Sequence, residues 1–386
     1  MKKILIFTSS RADYGLFHRL IKKLRKKFQI KLVISGSHLS RKHGETIKEI
    51  NDDEIKIFKK IRWSKFEDSH LNIVNNFSET LKKFSIIIKN YKFDLIILLG
   101  DRFETLSVAI AAHLFRIPIA HIHGGELTSG SIDDAMRHSI TKLSSLHFVS
   151  HKEYKKRVIQ LGENPKNVFV VGSLGAENID QTKFLSKNNL EKFLKLKFLD
   201  KNILINFHPE TSQLKSEKKQ IKEILISLSK FKEINKIFTM PGIDKGNKFI
   251  SSEISKFVKK NKNSYSFKSL GYKKYFSLMN NVDLMLGNSS SGILEMPSFK
   301  KITINLGIRQ NGRLQANSII NLNISSKEII KTIRNFYQGK YNLKLKKSKN
   351  IYYSKNTSDK IIEILNRINF KDLSHKKFYD LNKNKN

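Results

Sequence analysis

Short runs of consecutive apolar residues alternate along this chain with longer segments whose apolar positions recur every three or four residues. The runs ILIFTS (4 to 9), KLVIS (31 to 35), DLIILLG (94 to 100), PIAHIH (118 to 123), LHFVS (146 to 150) and VFVVG (168 to 172) predict strands of one parallel sheet covered by helices on both faces. A second series, NILINFHP (202 to 209), KIFTMP (236 to 241), VDLMLGN (282 to 288) and KITINLG (301 to 307), predicts a smaller sheet, with helices near 215 to 231, 272 to 280 and 326 to 338. The alternation defines an α/β chain of two Rossmann-like, doubly wound domains facing each other across a cleft. The expected division is residues 1–178 and 179–355, with the polar stretch 178 to 190 as linker. A closing helix, DKIIEILNRI (359 to 368), within residues 356–370, is expected to fold back on the first domain, and residues 371–386 to form a disordered tail.

Charge changes the picture less than its size suggests. Lys and Arg number 73 against 34 Asp and Glu, a formal net charge of +39, and such an excess would usually point to nucleic acid through counterion release. Here the excess is mostly Lys, spread evenly with Asn and Ile, with no Arg-rich or aromatic-interleaved stripe. Nucleic acid is therefore not the expected partner, although the charge still favours polyanionic ligands. The sequence has no cysteine, which excludes disulfides, zinc-thiolate sites and thiol nucleophiles. The apolar run near the start is too short for a signal-peptide core, and no stretch of about 18 apolar residues occurs, so a soluble cytoplasmic protein without membrane association is expected.

Candidate chemistry gathers where the predicted strands end, the edge at which open α/β sheets bind ligands. Asp101, Arg102 and Glu104 follow DLIILLG, and His121, His123, a Gly-Gly break and Glu126 follow in PIAHIHGGE. In SSRADYG (9 to 15), Arg11 can reach an anion and Asp13 can cap the next helix, although a plain strand-to-helix turn reads the same way. No GxGxxG follows the first strand and no GxxxxGK[ST] occurs, so neither a nicotinamide nor another dinucleotide cofactor is expected, and no metal site is assigned. Asp133 and Arg137, at i and i+4 of a predicted helix, share a face and suit an ion pair; His138 and His147 read as structural.

In the second half LGNSSSGILEMP (286 to 297) offers a turn at Gly287, hydroxyls and N–H groups from Ser289, Ser290 and Ser291, and a helix opening at Gly292. Ser291 acting only as an N-cap is the plainer alternative. Glu295 is placed to accept ribose hydroxyls. INLGIRQNGR (304 to 313) brings Arg309 and Arg313 to the same edge, and NFHPET (206 to 211) brings His208. Together these segments describe a nucleoside diphosphate site.

The motifs RADYG, GDRFE, HIHGGE, IDDAMRHSITKL, NFHPET, GNSSSGILE and LGIRQNGR, in this order over about residues 1 to 365, resemble the UDP-N-acetylglucosamine 2-epimerase family. They are most similar to its hydrolysing branch, which opens sialic-acid-type nonulosonate biosynthesis. The resemblance implies a GT-B-like domain pair holding a UDP-sugar in the cleft. It implies removal of the C2 proton, anti elimination of the nucleoside diphosphate through a glycal, and addition of water at C1 with reprotonation of C2 on the opposite face, which needs no cofactor.

By the same resemblance Asp101, His123, Glu126 and Asp133 are the proton-transfer candidates, with Arg137 orienting a carboxylate and His208 a charged donor to the leaving diphosphate. Arg11, Arg309, Arg313, the serine turn 289 to 291 and Gly292 would bind the diphosphate, and Glu295 the ribose. Tyr275 would lie near the uracil, and Arg102 and Asp244 would complete the substrate contacts. Which group is base and which is acid stays open. One departure occurs in MPGIDKG (240 to 246), where Gly242 stands in place of a common Asn. UDP-N-acetylglucosamine ranks first as substrate, ahead of a UDP- or GDP-linked 2,4-diacetamido-2,4,6-trideoxyglucose used for legionaminic acid. A GT-B glycosyltransferase would share the diphosphate turn but has no use for HIHGGE and IDDxxRH. The family also suggests a homodimer or homotetramer.

Overall fold

The computed structural model describes residues 1–40, 46–67, 69–212, 216–242 and 245–381. Within them the strands form a 7-stranded and a 6-stranded sheet, every pairing parallel. The first contains β1 (Lys3–Thr8), β2 (Gln29–Ser35), β3 (Ile57–Ile61), β4 (Leu95–Leu99), β5 (Ile119–Ile122), β6 (Leu146–Val149) and β7 (Val168–Val170), in the order β3-β2-β1-β4-β5-β6-β7. The second contains β8 (Asn202–Asn206), β9 (Asn235–Thr239), β10 (Ser264–Phe267), β11 (Leu284–Gly287), β12 (Ile302–Leu306) and β13 (Ile319–Leu322), in the order β10-β9-β8-β11-β12-β13. The strand order reverses direction between β1 and β4, and again between β8 and β11. These are the topological switch points at which such sheets bind ligands.

The two-residue alternation of a strand explains why the central runs are apolar throughout. Ile4 and Ile6 of β1 face a layer that includes Phe17, Leu20, Ile361 and Leu365, from helices Arg11–Leu24 and Thr357–Arg367. Leu5 and Phe7 face the opposite layer, with Phe84 and Val108 from helices His70–Asn90 and Phe103–Leu114. Each such side chain contributes about 1.5–3 kcal/mol by leaving water, so both faces of a strand anchor the edge from which its loop departs.

The chain divides into two compact units. The first comprises Met1–Glu126, Asp133–Asn178 and the chain from Tyr352 onward, and the second Leu127–Ile132 and Ile179–Ile351. The helix Thr357–Arg367 packs in the first unit. No described helix is long and apolar enough to cross a membrane.

Two features differ from the sequence reading. Strands β3, β10 and β13 are additional, and all three lie at sheet edges. In the expected disordered tail the described residues 371–381 are held by specific contacts: a 3-10 turn spans Phe370–Leu373, and the Lys376 ammonium lies 2.7 Å from Glu163 and donates to the carbonyls of Lys142 and Ser144. The Tyr379 N–H donates to Gly162 O at 2.9 Å, and Phe378 covers Gly162 so closely that a Cβ there would meet the ring at 2.2 Å. A few specific contacts, including a cation on the last carbonyls of a helix, hold a segment whose composition looks unstructured.

Candidate functional site

In the first unit the site is built from the turns after β4 and β5. Gly100, at φ +81°, turns the chain out of β4 toward Asp101. The fully buried His121 of β5 donates from Nε2 to Gly100 O at 2.8 Å and accepts at Nδ1 from Thr141 Oγ1 at 3.1 Å. A carbonyl only accepts, so this tautomer follows from the partners. Burial lowers the His121 pKa to about 3, which keeps the ring neutral.

Beyond β5 the chain enters the left-handed region at His123 (φ +66°) and again at Gly125 (φ +77°), where a Cβ would meet Tyr154 O at 2.5 Å. This coil returns Glu126 to His123. Glu126 Oε1 lies 2.6 Å from His123 Nδ1 and accepts from Ser150 Oγ at 2.9 Å, with Glu126 fully buried and His123 4% exposed. Nδ1–H is thus directed at the carboxylate, and the buried Nε2 of His123 has no protein partner among the described residues. An imidazole oriented by a carboxylate with its far nitrogen available is the arrangement of a general base or acid.

Arg137, from the helix Asp133–Leu143 and 2% exposed, ties this pair to Asp101. Its Nη2 pairs with the Asp101 carboxylate, and its Nη1 donates to His123 O at 3.1 Å. The guanidinium expected beside Asp133 is therefore engaged with the β4 and β5 turns, while Asp133 opens the helix half-buried and Asp134 lies 3.7 Å from His138. His147 lies 3.0 Å from Glu163. Arg102 reaches Glu104 at 3.2 Å; burial raises the Glu104 pKa and the Arg102 charge opposes it. Arg11 begins the helix after β1, where Asp13 accepts from the N–H groups of Ser9 at 2.9 Å and Ser10 at 3.0 Å. Ser10 and Asp13 form a capping box, so the Ser9 and Ser10 N–H groups are taken by the chain's own carboxylate.

In the second unit His208 follows β8 and is held by Asn288, which follows β11. Asn288 Oδ1 accepts from the His208 N–H at 2.7 Å and Nδ2 donates to His208 O at 2.9 Å. Gln310 Nε2 donates to Asn288 O at 2.8 Å, and Arg313 Nη1 donates to Gln310 Oε1 at 2.9 Å. A relay of neutral amides thus runs from His208 to Arg313. At Gly287 a Cβ would meet Asn206 O at 2.0 Å, so only glycine lets β11 leave beside β8.

Ser289, not Ser291, is the N-cap of the short helix Ser290–Leu294, its Oγ accepting from Ser291 N at 3.4 Å; the cap falls where the chain leaves extended geometry. Gly292 lies within this helix against Thr303, and Glu295 closes it at 8% exposure. The Tyr275 hydroxyl accepts from Asn206 Nδ2 at 3.4 Å. Arg309 is half-buried, and its backbone N–H donates to Glu210 Oε1 at 3.1 Å. Asp244 lies outside the described residues. No local signal marks Asn288, Gln310 or Glu210 in the sequence, although all three lie inside motif runs, Glu210 two residues beyond His208 in NFHPET.

Residues 22–366 match the model of a family described as UDP-N-acetylglucosamine 2-epimerase. The chain is 42% identical over 328 residues to a Campylobacter jejuni protein named GDP/UDP-N,N'-diacetylbacillosamine 2-epimerase (hydrolyzing), covering 84% of this chain and 85% of that one. It is 39% identical over 386 residues to the Escherichia coli polysialic acid biosynthesis protein P7, covering 99% and 98%. Its fold is similar to that of the UDP-GlcNAc 2-epimerase from Neisseria meningitidis bound to UDP-GlcNAc, with TM-score 0.80 at 20% identity over 95% of this chain and 100% of the other. With a family match over most of its length and relatives of this identity, the chain belongs to the UDP-N-acetylglucosamine 2-epimerase family, alongside members of its hydrolysing branch.

Proposed function

We propose that the protein is a hydrolysing nucleotide-sugar 2-epimerase that converts UDP-N-acetylglucosamine and water to N-acetylmannosamine and UDP. The observation that carries this reading is the His123–Glu126 pair joined through Arg137 to Asp101. Elimination breaks the C2–H and C1–O bonds, sends the proton to a base and the electron pair to the departing UDP, and leaves a C1=C2 glycal. Hydration then places hydroxide on C1 and a proton on the opposite face of C2. Two faces require two proton carriers, and His123, backed by Glu126, together with the carboxylates of Asp101 and Asp133 supplies them. The carbon skeleton ends at the oxidation level at which it began, so no hydride carrier enters the balance.

Loss of the diphosphate needs positive donors on its oxygens. His208, Arg309, Arg313 and Arg11, with the serine turn 289 to 291, have the chemistry for that role, as Glu295 has for the ribose and Tyr275 for the base. A second reading, a UDP- or GDP-linked diacetamido-trideoxyglucose, is favoured by the 42% identity to the Campylobacter jejuni relative; the chemistry at C1 and C2 is the same. The test is to offer the purified protein each nucleotide sugar and follow nucleotide and free sugar by chromatography. Release of UDP with N-acetylmannosamine is expected. Turnover of the diacetamido sugar alone would select the second reading, and turnover of neither would overturn both.

A further inference from the structure

The turn that carries Arg309 and Arg313 is shaped from behind by one buried carboxylate. Glu210 is 3% exposed. Its Oε1 accepts from the backbone N–H groups of Ile308 at 2.6 Å and Arg309 at 3.1 Å, and its Oε2 accepts from Gln220 Nε2 at 2.6 Å. Gly307 makes room for it: φ there is +69° and a Cβ would meet Glu210 Oε1 at 2.2 Å. The same backbone supports the segment Leu127–Ile132. A Cβ on Gly130 would meet Arg309 Cα at 2.5 Å, and the Ile132 N–H donates to Thr211 Oγ1, next to Glu210, at 3.1 Å. A buried carboxylate near an anion site would repel the ligand if its charge faced it. Here both oxygens are directed at neutral N–H donors of the protein.

We infer that Glu210 is a positioning residue: its carboxylate fixes the Ile308–Arg309 backbone from which the Arg309 side chain departs, and so sets nucleoside diphosphate affinity without touching the ligand. The inference rests on the reading of Arg309 as a diphosphate contact.

The test is UDP affinity by calorimetry together with steady-state kinetics on the full chain. Glu210→Ala should weaken UDP binding about tenfold and raise KM in parallel, with kcat within about threefold, as expected for losing charge-assisted hydrogen bonds to the loop. A merely structural defect would instead lower kcat with the folded fraction and leave the affinity of the folded molecules unchanged. Glu210→Gln should restore affinity to within about threefold, because an amide oxygen can accept from the same two N–H groups and Gln220 can turn its own amide to present an oxygen. Gln220→Leu, on the helix Glu217–Ser229, should weaken UDP by a factor of about two to five. Full UDP affinity in Glu210→Ala, or a Glu210→Gln variant as weak as Glu210→Ala, would overturn the positioning role. If Glu210→Ala does not fold, unchanged affinity in Gln220→Leu overturns it. Arg309→Ala separates the two readings: unchanged UDP affinity there defeats the diphosphate assignment, whereas a loss there with none in Glu210→Ala defeats the positioning role alone.

Discussion

The clusters in the two units are held in place by different kinds of contact. In the first, guanidinium groups meet carboxylates, Arg137 on Asp101 and Arg102 on Glu104, and the His123 ring meets the Glu126 carboxylate, with the Arg137, Glu104, His123 and Glu126 side chains all buried. In the second, amide side chains provide the contacts: the Gln310 amide accepts from Arg313, and the Asn288 side chain bonds both backbone groups of His208. The difference suits the tasks proposed for them. Proton transfer depends on groups whose protonation and orientation are fixed by neighbouring charges. Anion binding depends on donors that are held in place before the ligand arrives.

The largest effect should come from breaking the charged cluster. Asp101→Asn should lower turnover about 10³-fold while UDP affinity stays within about tenfold, because the change touches proton transfer and not the diphosphate. Near wild-type turnover in this variant would remove Asp101 from the mechanism. Glu126→Gln should cost about 10²-fold in kcat, since His123 loses the carboxylate that orients its ring; an unchanged kcat would show that His123 works alone. Arg313→Ala should act on the other side of the comparison, weakening UDP by about 10- to 100-fold with a smaller change in kcat. A loss confined to kcat would place Arg313 with the proton-transfer groups.

The smallest effect is on stability, and it too should divide the units. Burial lowers the pKa of His18 and His38 to about 4 and of His121 to about 3, and all three belong to the first unit. The unfolded chain therefore binds more protons than the folded one between about pH 3 and 6.5. The contribution of these rings is complete above pH 6.5 and is lost progressively as pH falls toward their folded values. Hydrogen exchange at pH 7.5 and pH 5 should show protection of β1, β4 and β5 falling more than that of β8, β11 and β12, after correction for the intrinsic rates. Equal losses would show that the buried imidazoles do not dominate the acid response.

The central strands were legible because each is covered on both faces and so reads as a continuous apolar run, as in LIILL of β4. Strands β3, β10 and β13 were not, because an edge strand tolerates polar and half-exposed positions: IFKKI, SYSF and IINL carry no uninterrupted run. The motif residues around β4, β5, β8 and β11 were legible from their place at strand ends. Their partners were less so. The i, i+4 spacing offers Asp133 as an ion-pair partner for Arg137, whereas its pairing with Asp101, 36 residues away, has no local signal. Glu210 bonds N–H groups 98 and 99 residues along the chain, which no local spacing reports. The tail failed for a related reason: its order rests on Lys376, Phe378 and Tyr379 meeting a surface that only the folded first unit provides.

The most direct measurement is incubation of the protein with UDP-N-acetylglucosamine in D2O, followed by proton NMR. Free N-acetylmannosamine carrying deuterium at C2 is expected, with one UDP released per sugar. Free sugar that keeps its original C2 proton would contradict elimination and solvent reprotonation, and with them the proton-transfer role given to the cluster of Asp101, His123, Glu126 and Arg137.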